Sequence, residues 1–171
     1  MGYHGLGDIF VLLFFGFGAV GGSFFVQTPQ PLLHVPSAVW VCGWAVGALA
    51  TAILVVNNLR DRHTDICVGK KTLAVRLGAT GVRLEYTLLV ISAFGCVLWE
   101  SICAQGPLKW GWLTPCLLIP LAYKRIRSIW TTDGADLNPL LGQTAQLELF
   151  FCLLLVVGLK SALIVSQGGT G

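Results

Sequence analysis

Between Asp8 and Arg60 the chain reads IFVLLFFGFGAVGGSFFVQTPQPLLHVPSAVWVCGWAVGALATAILVVNNL, from Ile9 to Leu59, without one Asp, Glu, Lys or Arg. A transmembrane helix needs about 20 consecutive apolar residues to cross the hydrocarbon core, and this stretch holds enough for two. Gln27-Thr28-Pro29-Gln30-Pro31 and Pro36 interrupt it in the middle. Proline lacks a backbone N–H and ends helices, so the interruption reads as the turn between two spans. The whole chain agrees: 55% of its 171 residues are hydrophobic and only 11% charged, with a mean hydropathy of +0.77. Soluble domains carry about 25% charged residues. So few charges do not cover a water-facing surface, and the bilayer is the solvent that suits such a chain.

Working outward, the pattern predicts an all-α, polytopic transmembrane bundle of about five spans. They fall at about Leu6 to Gln27, Ser37 to Asn58, Leu84 to Ala104, Trp112 to Arg127, and Asn138 to Val165. A polar loop reaches to about Arg83 between the second and third, and Gly106-Pro107 stops the third. Residues 1–171 read as a single membrane domain, with Gln167 to Gly171 expected as a disordered tail. Met1 to Asp8 has neither a basic n-region nor a cleavage site, so no signal peptide is expected. Arg60, Arg62, Lys70, Lys71, Arg76, Arg83, Lys124, Arg125 and Arg127 fall on one side of this topology, and only Lys109 and Lys160 on the other. Short loops rich in Lys and Arg stay cytoplasmic. The loop after the second span is therefore expected on the cytoplasmic side, or the stromal side of a plastid membrane. Trp110 and Trp112 at a span start suit an interfacial belt. The six cysteines include no CxxC pair and five lie in apolar segments, where they read as small hydrophobes.

The densest chemistry is Asn57-Asn58-Leu59-Arg60-Asp61-Arg62-His63-Thr64-Asp65, followed by Gly69-Lys70-Lys71-Thr72-Leu73-Ala74-Val75-Arg76-Leu77-Gly78. Asn57, Asp61 and Asp65 recur at i, i+4 and i+8. They share one face if the second helix continues past the membrane surface. Carboxylates at i, i+4 repel, and the negative end of the helix dipole disfavours them further. A divalent cation between them removes both penalties. Magnesium takes one or two carboxylates together with phosphate oxygens, and Arg and Lys hold the remaining phosphate charge. The bland alternative is a solvated face in which Arg60 and Arg62 pair with Asp61 and Asp65. The amides of Asn57 and Asn58 at a membrane-buried helix end weigh against it, because unpaired amides there are costly.

The order NNLRDxxxDxxxGKxTLAVRLG resembles the second aspartate-rich motif of the UbiA superfamily of intramembrane prenyltransferases, and most closely its 1,4-dihydroxy-2-naphthoate prenyltransferase (MenA) branch. Gly5-Leu6-Gly7-Asp8-Ile9-Phe10 with Phe15-Gly16 resembles the segment that opens that family's fifth helix, and Asn138-Pro139-Leu140-Leu141 the start of its last. The resemblance implies a fold of about nine helices with two acidic motifs, of which this sequence carries the C-terminal part. The first motif would sit on an N-terminal half acting as partner. It implies transfer of a polyprenyl or phytyl chain from its diphosphate to 1,4-dihydroxy-2-naphthoate. Mg²⁺ assists ionisation, and the aromatic ring is alkylated with loss of CO₂, on the route to menaquinone or phylloquinone. By that match Asp61 and Asp65 are the catalytic metal ligands, and Asn57, Asn58, Arg60, Lys70 and Arg76 bind the diphosphate. The expected partners are the two substrates, membrane lipid and the N-terminal half, with no nucleic acid. The expected location is a bacterial plasma membrane or a plastid membrane. Gly16, Gly18, Gly21, Gly22 and Ser23 would face the helices of that other half.

Other residues carry plainer readings. Lys71 is expected to face solvent. His63 reads as a loop residue beside the motif, and Tyr123, Lys124 and Arg125 as headgroup anchors. Gln143 and Thr144 are expected to bond across helices. Asp8 and Glu148 are ionisable groups near spans, which invites a functional reading; Glu148 lies about three turns into the fifth span, as a possible pocket group. Three alternatives compete. CDP-alcohol phosphotransferases need DG…AR…G…D…D, an order absent here. An ion-coupled transporter needs carboxylates near the midplane at broken helices. A non-catalytic half that assembles with a partner chain shares every residue named.

Overall fold

The computed structural model describes residues 5–28 and 35–168, and all regular structure among them is helical. The first crossing is α1 (Gly7–Val11), a π-helical stretch (Leu12–Gly21) and α2 (Gly22–Gln27) in unbroken succession. Next come α3 (Ser37–Arg60), the short α4 (Arg62–Cys67), and α5 (Leu73–Cys103). A composite run follows: α6 (Leu108–Leu113), a 3₁₀ segment (Thr114–Leu118) and α7 (Ile119–Thr131). A 3₁₀ turn (Gly134–Leu137) leads into α8 (Asn138–Gly168). Most of the turn expected between the first two spans lies outside the described residues, as do 169–171 of the expected tail. Gln167 is corrected from tail to helix, since α8 runs through it.

Four helical stretches are long and apolar enough to cross a membrane: Gly7–Gln27, Ser37–Arg60, Leu73–Cys103 and Gly134–Gln167. Many of their large apolar side chains are exposed, among them Phe14, Leu88, Trp99, Val156 and Ile164, a surface that suits lipid. The chain is an integral membrane protein.

The fourth expected span is a correction. It is not one helix, because Pro115 and Pro120 each remove a backbone donor and the run tightens into a 3₁₀ turn between them. It still traverses the depth of α8. Gly111 lies against Gly158, the Thr114 hydroxyl donates to the Leu154 carbonyl at 2.7 Å, and Arg125 donates to Gln143 at 2.7 Å. From Gly158 to Gln143 is about 22 Å at 1.5 Å per residue. The third span is also corrected: its helix begins just after Gly78 rather than near Leu84, and a short helical segment from Leu73 leads into it. Gly78 separates the two, with φ 71° and ψ 175°, a backbone shape that side chains resist.

The core centres on α3. Ala45, Ala48, Leu49, Ala52, Val55 and Val56 are almost wholly buried against the first crossing, α5 and α8. Gly16 lies against Gly43 and Gly47, and a Cβ on Gly47 would stand 2.7 Å from the Leu12 carbonyl oxygen. Such small-residue contacts let membrane helices approach at backbone distance. This corrects the expectation for Gly16 and Gly21, which are buried, Gly16 within this chain's own bundle, while Gly18, Gly22 and Ser23 are exposed.

Candidate active site

The site is built where α3 runs out. Asp61 joins α3 to α4 with φ −88° and ψ 2°, yet the helical ladder carries through it. The Asp61 N–H donates to the Asn57 carbonyl at 3.0 Å, and the Asp65 N–H to the Asp61 carbonyl at 2.8 Å. Asn57, Asp61 and Asp65 therefore keep the one-turn spacing expected of them. Gly69, at φ 73°, then turns the chain so that the Lys70 N–H reaches the Asp65 carbonyl at 2.9 Å.

Arg60 is the hub. Its Nε and Nη2 donate to the two oxygens of Asp61, each at 2.7 Å, a bidentate fork. Nη2 also donates to Asn57 Oδ1 at 2.8 Å, and Nη1 to Asn138 Oδ1 at 3.1 Å. The hydrogen-bonded guanidinium holds the Asp61 carboxyl below the usual carboxylate range, with Lys70 adding to the effect. Asp65 is buried, and Lys70 Nζ donates to its Oδ1 at 3.0 Å. The alternative pairing is thus half realised: Arg60 holds Asp61, but Lys70 rather than Arg62 holds Asp65. Arg62 instead contacts the exposed His63 at 3.3 Å.

Two residues expected in the diphosphate site stand apart from this row. Asn58 donates to Asp8 Oδ1 at 3.3 Å, across to the first crossing. Arg76 is exposed beside Gly5, and its side chain makes no hydrogen bond or ion pair among the described residues. Lys71 and Tyr123 are exposed, Arg125 is engaged by Gln143, and Thr144 is fully buried with its hydroxyl 3.0 Å from that of Tyr86. Gln143 and Thr144 thus bond across helices.

The donor set suits a hard cation in part. Asp61, Asp65 and the Asn57 amide offer oxygens of the type magnesium takes. Among the described residues no group of three or more His, Cys, Asp or Glu converges on one point. A cation held there would find only a partial shell in this chain, and phosphate and water oxygens would have to complete it.

The UbiA prenyltransferase family model matches residues 1–154. The chain belongs to the UbiA prenyltransferase family. The 1,4-dihydroxy-2-naphthoate octaprenyltransferase of Escherichia coli (strain K12) is 39% identical to this UbiA chain over 161 residues, 92% of the chain and 50% of that protein. The enzyme of the same description from Mycobacterium tuberculosis is 42% identical over 157 residues, 89% of the chain and 49% of that protein. The 2-carboxy-1,4-naphthoquinone phytyltransferase of Synechocystis is 29% identical over 131 residues, 75% of the chain and 40% of that protein. The chain spans about half the length of the octaprenyltransferases it matches. No solved structure matches it.

Sequence reasoning missed two partners of the residues it singled out. Asn138 lies 78 residues from Arg60, and no local spacing announces their bond. The Asn-Pro pair that opens α8 was the one available signal. Asp8 reads from sequence as ionisable, but nothing local announces its bond to Asn58, 50 residues away.

Proposed function

We propose that this chain forms the diphosphate-binding part of a prenyltransferase that moves a polyprenyl or phytyl chain from its diphosphate to 1,4-dihydroxy-2-naphthoate, on the route to menaquinone or phylloquinone. One observation carries the reading: the Asp61–Asp65 row, each carboxylate paired with a cation that can be released to phosphate, sits at the end of a membrane-spanning bundle. The naphthoate acceptor rests on the likeness to the octaprenyltransferases.

Asp61 and Asp65 would hold Mg²⁺, which when bound supplies positive charge to the leaving diphosphate. Arg60 and Lys70, now neutralised by the two carboxylates, turn to the phosphate oxygens as charge arrives there. Asn57 offers its amide beside them. The allylic C–O bond then breaks with its electron pair on the diphosphate. The ring carbon that bears the carboxylate attacks the allylic cation, and its bond to the carboxylate then breaks, the electron pair returning to the ring as CO₂ departs. Preorganised cations at the point of developing charge are the largest lever available to such a site. The excess of basic residues on the side of the acidic row supports a cytoplasmic or stromal position for it.

The complete activity is assigned to this chain together with an N-terminal half that carries the first acidic motif. In that protein, Asp61→Asn and Asp65→Asn are each expected to lower prenyl transfer by about 10²–10³. Retention of more than a tenth of wild-type turnover by either variant overturns the metal-ligand assignment. Robust transfer by residues 1–171 alone overturns the need for a second motif.

A further inference from the structure

A cleft of about 410 Å³ opens beside the acidic row, between the first crossing, α3 and α8. That volume falls in the range of small-molecule pockets, roughly 300–1,000 Å³. Asn57 and Leu141 line one end, Ala50 and Glu148 the other, and Phe15 and Ile53 the walls between. The bond from Arg60 to Asn138 brings the end of α3 to the start of α8, so the two helices run antiparallel past the cleft. Asn57 back to Ala50, and Leu141 on to Glu148, are equal steps along the two helices. The cleft is thus about 10 Å long. Its outer end is the amide that touches Arg60, and its inner end is a carboxyl.

Glu148 makes no hydrogen bond or ion pair among the described residues. A carboxyl inside the bilayer without a partner is expensive, and such groups mark sites where something polar arrives. An isoprenoid chain has no hydrogen-bond donor to offer. A hydroxylated aromatic ring does, and its faces suit the walls of Phe15 and Ile53.

We propose that this cleft seats the aromatic acceptor, with Glu148 accepting a hydrogen bond from a ring hydroxyl. The seat turns the ring's reacting edge toward Asn57, where the allylic carbon hangs below the diphosphate. The inference rests on the prenyl-transfer reading above and adds to it the place and the chemical handle of the second substrate.

The test uses the complete protein, this chain with its N-terminal half, in phospholipid nanodiscs. Binding of 1,4-dihydroxy-2-naphthoate is followed by its own fluorescence, and binding of a prenyl diphosphate by calorimetry. Glu148→Gln is expected to weaken naphthoate binding at least about 10-fold and to leave prenyl diphosphate binding within about twofold. The 1,4-dimethoxy analogue, which has no donor, is expected to bind wild type and Glu148→Gln equally weakly. Ala50→Phe fills the inner end from the opposite wall without touching a charge, and the same selective loss is expected. Unchanged naphthoate affinity in both variants, equal loss of both ligands, or no naphthoate binding by wild type overturns the seat. Wild type that transfers prenyl groups while both variants bind naphthoate unchanged leaves the functional reading standing and the seat fallen. Selective loss of naphthoate in the variants of a protein that transfers no prenyl group leaves the seat standing and the reading fallen.

Discussion

Replacing Arg60 by lysine tests whether the acidic row needs a fork or only a positive charge. Lysine keeps the charge beside Asp61 but has one ammonium in place of a planar guanidinium. It does not reach Asp61, Asn57 and Asn138 together, as Arg60 does at 2.7, 2.8 and 3.1 Å. The pair with Asp61 survives, and the two amide bonds are lost. Each is worth about 0.5–1.5 kcal/mol at this partly exposed position, so about 1–3 kcal/mol of site organisation disappears. If that organisation is felt in the transition state, turnover falls by about 5- to 150-fold. The assay is steady-state prenyl transfer by the complete protein, with Asn138→Ala alone and with Asn138→Ala on the Arg60→Lys background. Asn138→Ala alone should cost only a few-fold. The double variant should be no worse than Arg60→Lys, because the bond to Asn138 is already gone. Arg60→Lys with more than half of wild-type turnover, or a double variant whose losses simply multiply, refutes the hub.

Lys70→Ala is expected to raise the KM for prenyl diphosphate about 10-fold or more with little change for naphthoate, while exposed Lys71→Ala changes neither beyond about twofold; equal effects in steady-state kinetics would reduce the loop to diffuse positive charge. Cys67, exposed after the acidic row, is expected to react with an impermeant maleimide from the cytoplasmic side, with half-buried Cys116 and Cys152 protected. Labelling of Cys67 from the opposite face alone would invert the topology. Gly47→Leu, which drives a side chain into the Leu12 carbonyl and Gly16, is expected to lower the melting temperature in detergent and to open the first crossing to protease; an unchanged melting curve would show that the close approach contributes nothing.

The legible part of this molecule was what repeats locally or stays apolar for a helix length. The run from Ile9 to Leu59 announced two crossings, and the i, i+4 spacing of Asn57, Asp61 and Asp65 announced a row that the backbone bonds preserve. The partners of that row were half legible. Lys70 lies five residues from Asp65, within reach of a local reading, whereas Asn138 comes to Arg60 only when α8 folds against α3. The early start of α5 was hidden because Gly78 ends a first short helical segment and a second begins at once, so the stretch before Leu84 resembles loop. Gly16 reads from sequence as a contact surface but without an address, since a small residue specifies closeness and not the neighbour. Glu148 could be noticed only as a charge within a span; the cleft that gives it a use exists between three helices.

The broken crossing from Leu108 to Thr131 has a consequence for biogenesis. Its two prolines and its basic end make it a poor substrate for partitioning into lipid as an independent helix, in contrast to the α8 segment that follows. Irregular backbone at membrane depth is tolerated when protein covers it, and much of that cover here is α8, through Gly158, Leu154 and Gln143. A ribosome that has just finished Thr131 has not yet made this cover. Full cover of the run is therefore expected only once α8 has been translated. A chain that ends after Thr131 is expected to leave the Leu108–Thr131 run open to protease, and a chain that includes α8 to protect it.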